Sequence, residues 1–583
     1  MATVREIKAA IAASGATWRV DPSLQDDREP PRYALGGESK ARIPAHGSSA
    51  RMFRARPRAS SVDWRNRNGQ SWVTGVRDQN PCDACWAFAV TALVESAVRI
   101  EHSVWCVRSE GDIHDGLGAK CGSIGNPGSA IGWIKENGIA DPGCWAWTPA
   151  DEPYVPSADR GGRTVKLDDV SDVWIGNAED QKHWIDTVGP IVCSIDCFED
   201  FDVYHGGPYR HVAGAYRGWH IMLCVGYDDA NGWWIVKNQW GTGWGDQGYA
   251  YICYDEVKID ENAKIGLRGT NPDGWLRRRL HGGNLLESGN GATHRNFELV
   301  TRLSDGRISH WQRDNSLPDF PWRQPWVFGE GDAAGPPALI ESSYGGRNLE
   351  LVYRTNARRL RHWYFDSYMM TWNDGGIFGP SDVAGEPAFI QSNYGVPGNF
   401  EVVFRAADGR LDHWYRPAGG SWTQVGRFGS NVRFSGPALV QTQAGGQRNF
   451  ELICVLGSGV LQHWTRNNDA NTGWQLGRSF GANVQSGACM LEGQYGATDE
   501  RTPGNLELCV AVGGRAEHWW FDHVQPAAGW RRSTAFGANV AEVHGLLESS
   551  FGFNLEAILQ LADGSIEHWY RQDGGWSLAE RIA

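Results

Sequence analysis

The sequence has 583 residues, enough for two to four domains of roughly 100–200 residues each. Its formal charge is −13, from 55 Lys and Arg against 68 Asp and Glu, which argues against an extended basic surface for nucleic acid. No apolar run approaches the length of about 18 residues that a membrane-spanning helix needs, so no such span is predicted.

Residues 1–60 open with Val4, Ile7, Ala10 and Ile11, spaced to share one face of a short helix. Glu6 and Lys8 interrupt this patch, so it does not read as a signal peptide. The expected location is the cytosol, or outside the cell by a leaderless route. The leader continues as a polar stretch through Arg51, Arg54, Arg56 and Arg58, too poor in apolar residues to build its own core. Residues 61–262 mix periods. A helix is predicted after Cys85 (Trp86, Phe88, Ala89, Ala92, Leu93) and another over Ser129–Asn137, with strands over Ile221–Gly226 and Trp233–Lys237. Helices first and strands after give an α+β class. Nine of the 12 cysteines precede residue 254, which concentrates thiol chemistry in this half. Residues 263–278 read as a linker.

From residue 279 to 583 the chain repeats. Asn296-Phe297-Glu298 recurs as Asn348-Leu349-Glu350, Asn399-Phe400-Glu401, Asn449-Phe450-Glu451, Asn505-Leu506-Glu507 and Asn554-Leu555-Glu556, at intervals of 52, 51, 50, 56 and 49 residues. A His-Trp pair follows in each copy: His310-Trp311, His362-Trp363, His413-Trp414, His463-Trp464, His518-Trp519 and His568-Trp569. Turns such as Asp305-Gly306 and Asp408-Gly409 lie between, where Gly supplies positive φ. A further Trp closes each copy (Trp322, Trp372, Trp422, Trp474, Trp530, Trp576), and the 74 Gly and 30 Trp of the chain suggest a β-rich repeat in preference to a helical bundle. A period near 50 with several short strands predicts an all-β propeller of six blades. Adjacent strand residues face opposite ways, so His and Trp of one pair cannot share a face. Their structural roles are expected to be blade-on-blade packing for Trp and a satisfied buried turn for His.

The most specific local signal is Cys82-Asp83-Ala84-Cys85-Trp86-Ala87-Phe88, preceded by Gln79. Cys85 stands where a helix begins, a position that favours a thiolate. A nucleophilic thiol also needs an imidazole partner and a donor for the developing oxyanion. His220 opens the strand ending Val225-Gly226-Tyr227, 135 residues after Cys85, inside the spacing of roughly 130–150 seen for such pairs. Asn238 follows in Lys237-Asn238-Gln239-Trp240-Gly241. His205 and His211 are competing imidazoles, but neither leads into that strand. At these residues the sequence resembles the papain family, from Asp63-Trp64-Arg65 to Gly248-Tyr249. The resemblance implies a cysteine peptidase, with Cys85 as nucleophile, His220 as its ion-pair partner and Asn238 orienting the imidazole. It also implies that Gln79 completes the oxyanion hole and Trp240 shields the His–Asn bond. It pairs Cys82 with Cys121 in a disulfide and offers Cys106 with Cys144 as a second bridge. Neither a cofactor nor a metal is implied, and the partners are protein or peptide substrates. By the same resemblance, the first 60 residues could be an inhibitory propeptide crossing the cleft, or a plain flexible leader.

Three departures stand out. Asp83 replaces the family's usual Gly, Gln239 replaces its usual Ser, and Cys121-Gly122-Ser123-Ile124-Gly125 carries an extra residue in the Gly pair that holds substrate backbone. The repeats, for their part, resemble bacterial propeller lectins that bind fucose and related sugars, which implies glycan partners without assigning sugar-binding residues. The alternative function is thus a carbohydrate-binding protein in which the peptidase domain is inactive or secondary.

Overall fold

A computed structural model describes residues 2–37 and 57–582, apart from 170, 263, 290–295, 316, 318, 396–397, 434, 552–553 and 573. Arg51, Arg54 and Arg56 lie outside the described residues. The chain divides into two compact units. One comprises Met1–Pro156, Thr164–Asn271 and Thr498–Glu500, the other Ser157–Arg163, Pro272–Ala497 and Arg501–Ala583.

The first unit is α+β. Helix α1 spans Val4–Ser14 and begins with a capping box, in which Thr3 and Glu6 satisfy each other's backbone N–H. It stops at Gly15, which takes the left-handed conformation at φ 71° that Gly adopts without strain. Val4 and Ile7 are buried, while Ala10 and Ile11 are only half-buried. Helix α2 spans Cys85–His102, and every residue from Cys85 to Thr91 is buried. Its apolar character on all sides suits a helix packed in a core rather than on a surface. The predicted second helix covers Pro127–Asn137, capped by Asn126, whose side chain accepts from the Ser129 N–H.

An antiparallel sheet carries the other half of this unit. Its central strand, Tyr216–Asp228, pairs with Ile191–Phe198 on one side and Trp233–Lys237 on the other. Residues 263–278, expected as a linker, do not behave as one. Lys264–Leu267 pairs with Asp172–Ile175 and Ile191–Phe198, and Thr270–Asn271 pairs with Thr164–Leu167. Gly274–Arg277 is a short helix in the second unit.

The second unit is all-β. Among the described residues it holds five four-stranded antiparallel sheets and one of five strands, one sheet per sequence repeat. The first is Leu285–Glu287, Phe297–Arg302, Ile308–Arg313 and Trp322–Phe328. The sixth gains His281–Gly283 on the edge of Val540–Glu548. Each Asn-x-Glu motif leads into a second strand and each His-Trp pair sits on a third. In the first sheet Glu298 lies opposite Gln312 and diagonal to His310, so Glu and His share a face. The histidines therefore satisfy a carboxylate and not the turn that the sequence suggests. Nε2 of His310, His362, His413, His463, His518 and His568 lies 2.7–3.0 Å from its repeat's Glu. Trp does pack between sheets: Trp372 Nε1 donates to His310 Nδ1 of the preceding sheet at 3.3 Å, and Trp474 repeats this on His413. Phe328, Phe378, Phe428, Phe480 and Phe536 each stack on the closing Trp of the next sheet, as Phe378 does on Trp422 at 4.0 Å.

Neighbouring sheets bury six hydrophobic clusters between them among the described residues. One unites Leu285 and Leu299 of the first sheet with Leu547 and Ile558 of the last. A ring of polar bonds follows the same order. The residue ending each first strand accepts a backbone N–H from the preceding sheet: Glu341 from Gly289, Gln391 from Ser343, Gln441 from Asn393, Glu492 from Gln443 and Glu548 from Gln494. Glu287 of the first sheet accepts from Ser550 of the last.

Candidate active site

The site sits where α2 meets the central strand of the first unit. A helix leaves its first backbone N–H groups without an intrahelical partner. At Cys85 this orphan N–H donates to the carbonyl oxygen of Leu35 at 3.2 Å. Gln79 Nε2 donates to the same oxygen at 3.1 Å and to Cys82 O at 2.8 Å. Two donors thus converge on one peptide carbonyl beside a cysteine. Cys82 and Cys121 are joined by a disulfide, while Cys106 and Cys144 are buried thiols, Cys144 lying 3.8 Å from Asp141 Oδ2.

His220 and Asn238 meet across neighbouring strands, with 2.8 Å between Nε2 and Oδ1. The orientation of the amide is fixed independently, because Asn238 Oδ1 also accepts the Gln239 backbone N–H at 2.9 Å. An oxygen facing Nε2 requires the proton on Nε2, which leaves Nδ1 with its lone pair. That Nδ1 is buried with no hydrogen-bond partner among the described residues. Trp240 stacks on the imidazole, 4.5 Å between centroids, and covers the His–Asn bond. Gln239, in place of the family's Ser, turns its amide inward to donate to Ile221 O at 2.7 Å. Behind these residues Arg77 bridges Glu95 and Glu110, and Lys237 reaches Thr74 Oγ1 at 3.3 Å. This buried cluster ties the strand that leads to Asn238 to α2. His205 and His211 lie elsewhere: His211 bonds Asp200 at 3.1 Å and stacks on Phe198.

Burial disfavours the charged form of both Cys85 and His220. Burial raises the Cys85 thiol far above its ordinary range, and the nearby Asp83 charge adds to the rise against the opposing bond from the Ile221 backbone. Burial also lowers His220 to about 3, although its bond to Asn238 favours the charged form.

What fills the cleft is a stretch of the leader, residues 33–37. Tyr33 stacks on Trp240 at 4.7 Å, and Trp240 Nε1 donates to Ala34 O at 2.9 Å. Asn80 Oδ1 accepts from Ala34 N at 2.8 Å, and Asp83 Oδ1 accepts from Leu35 N at 3.0 Å. Gly125 N donates to Gly36 O, and Gly37 N donates to Trp219 O. Gly125 thus holds peptide backbone despite the extra residue before it. Only Gly fits at position 36. Its φ is +100°, and a Cβ there would lie 2.0 Å from Asp83 O. The Gly36-Gly37 pair was the one available sequence signal for this close approach.

The profile described as "Papain family cysteine protease" matches residues 58–267. Over 237 residues the chain is 32% identical to digestive cysteine proteinase 3 of Homarus americanus, covering 37% of this chain and 68% of that protein. The chain belongs to the papain family of cysteine proteases. It is also 35% identical to cathepsin L of Sarcophaga peregrina, over 34% of this chain, and spans 59% of that relative's length. Among solved structures, digestive procathepsin L2 of Tenebrio molitor is similar at 24% identity, covering 45% of this chain and 87% of that one, with a TM-score of 0.39. The matched family region lies within the residues of the first unit except for Ser157–Arg163, which belong to the second. Among the described residues no helix is long and apolar enough to cross a membrane.

Proposed function

We propose that this chain is a cysteine endopeptidase held closed by its own leader. The observation that carries the reading is the Leu35 carbonyl, seated between the Cys85 N–H and Gln79 Nε2 where a scissile carbonyl would sit. In the open enzyme His220 Nδ1 takes the Cys85 proton, and the thiolate adds to the carbonyl carbon. The two donors stabilise the resulting oxyanion, and the imidazolium returns its proton to the leaving amine. Water, deprotonated by His220, then hydrolyses the thioester. Asn238 holds the ring in the required tautomer, and Trp240 keeps water from that bond. The test is hydrolysis of a broad peptide mixture under reducing conditions, with labelling of Cys85 by a thiol-reactive epoxide. Activity that persists in Cys85→Ala rules the mechanism out. The inhibitory role of residues 1–60 is tested by adding that segment to enzyme from which it has been cleaved; unchanged hydrolysis would end it.

A second reading concerns the all-β unit, as a six-bladed propeller that carries the peptidase to glycans. Cyclic hydrogen bonding from Glu341 through Glu548 to Glu287 supports the ring. A cavity of about 530 Å³ supports the ligand, lined by Trp569, Trp576, Phe536, Glu567, Arg515 and Arg581. Indole faces beside charged hydrogen-bonding groups suit a sugar. Glycan-array binding by the full chain, lost in Trp569→Ala, would support this use. A blank array would remove it.

A further inference from the structure

Asp83 is the departure that the proposed mechanism does not use, and it opposes the nucleophile. Its charge adds to the rise of the Cys85 thiol, so a carboxylate here is a handicap unless something offsets it. The side chain is half-buried at the floor of the cleft, on a backbone pinned by its N–H to Cys121 O at 2.7 Å and by the Cys82–Cys121 disulfide beside it. Oδ1 accepts the N–H of Leu35, the same residue whose carbonyl fills the paired donors. One residue spans at most about 3.6 Å of backbone, so this oxygen lies within roughly 7 Å of the oxyanion position. No Lys, Arg or His of the described residues pairs with it, and Oδ2 has no hydrogen-bond partner among them. Once the leader departs, Oδ1 also loses its donor. An unneutralised carboxylate is then left facing whichever residue presents its carbonyl for attack.

Resting on the peptidase reading, we propose that Asp83 is a specificity-determining residue that selects a Lys or Arg side chain at the residue whose carbonyl is cleaved. An extended cationic side chain spans the distance from the oxyanion position to Asp83. Its charge would pair with the carboxylate and at the same time cancel the field that disfavours the thiolate. Selection therefore acts on the chemical step as well as on binding. The neighbouring contacts, Gly125 N and Trp219 O, are backbone groups and add no competing charge.

The experiment compares kcat/KM of the full-length chain on two peptides that differ at this one position, arginine against its neutral isostere citrulline. The leader blocks both equally, so their ratio does not depend on how much of the chain is open. A ratio of roughly ten or more is expected, falling with added salt, as for one ion pair near a protein surface. In Asp83→Asn, which keeps the acceptor for Leu35, the ratio should fall to near one while Cys85 is still labelled by the epoxide. Asp83→Gly gives a second variant should the first fold poorly, and epoxide titration counts competent sites in each. A wild-type ratio near one, or a ratio unchanged in both variants, overturns the inference and leaves the peptidase reading intact. Selection for a free α-ammonium in place of a side chain also overturns it. Failure of the wild-type protein to label or cleave even after its leader has been cleaved overturns both.

Discussion

At the scale of single residues the site is a matter of where protons sit. Asn238 Oδ1 is held by two donors, and this fixes the His220 tautomer before any substrate arrives. Gln79 is different, because in the proposed mechanism its amide acts on the charge that develops during attack. Gln79→Ala is therefore expected to lower kcat by roughly 100-fold or more with little change in KM, the cost of losing one oxyanion donor. Steady-state kinetics with titrated active sites check this, and a change confined to KM would place Gln79 in substrate binding instead. The paired glutamates and histidines of the repeats belong to the same scale. Glu401→Ala strands the buried His413, and the fold should lose about 1–3 kcal/mol, read as a lower denaturation midpoint.

At the scale of elements, the leader owes its place to backbone contacts more than to side-chain bulk. Gly36→Ala sets a Cβ against the Asp83 carbonyl in a left-handed conformation, so the segment must lift from the cleft. Epoxide labelling of Cys85 in the intact chain is expected to speed up by tenfold or more, the result of about 1.4 kcal/mol or more lost from the closed state. An unchanged rate would mean that residues 33–37 do not limit access. This element also marks what the sequence could and could not tell. That Cys85 would lie beside Gln79, and His220 beside Asn238, was legible from their motifs and spacings. Strand Trp233–Lys237 and the Ile221–Gly226 part of strand Tyr216–Asp228 were legible from their apolar runs. Tyr33–Gly37 was not, since its burial depends on a partner surface far away in sequence and its own composition is that of a loop. Residues 264–271 were misread for a related reason. Lys264 and the Gly-rich run after it look like a linker, but Lys264 is buried, its Nζ on Gln181 Oε1 at 2.5 Å. Among the repeats, the His-Trp and Asn-x-Glu signatures were plain, whereas their pairing appears only once strand register puts Glu298 diagonal to His310.

At the scale of the whole molecule, the ring of strand-end residues ties each repeat to the one before it. Four of its members are glutamates and two, Gln391 and Gln441, are glutamines, so an amide and a carboxylate serve as acceptors in equivalent places. Arginine answers part of the excess charge: Arg277 contacts Glu287 at 2.7 Å and Glu548 O at 2.6 Å. Glu548 nonetheless stays short of compensation, and burial raises it from 4.5 to about 8, against its bonds from Gln494 and the fields of Arg277 and Arg279. A carboxyl raised in the fold contributes its stability fully below its unfolded value, near 4.5, and loses it as pH climbs through about 8. Glu548→Gln keeps the acceptor for Gln494 and removes the titration, as Gln391 and Gln441 already do in their own repeats. Variant and wild type should therefore unfold at similar temperatures near pH 5. At pH 9 the variant should melt higher, by roughly 2–4 °C for each kcal/mol that the ionised Glu548 costs. Scanning calorimetry across that range reads the difference directly. Parallel curves would mean that the Arg277 and Arg279 fields suffice to keep Glu548 charged, and the ring would then be held by ion pairing and not by neutral acceptors.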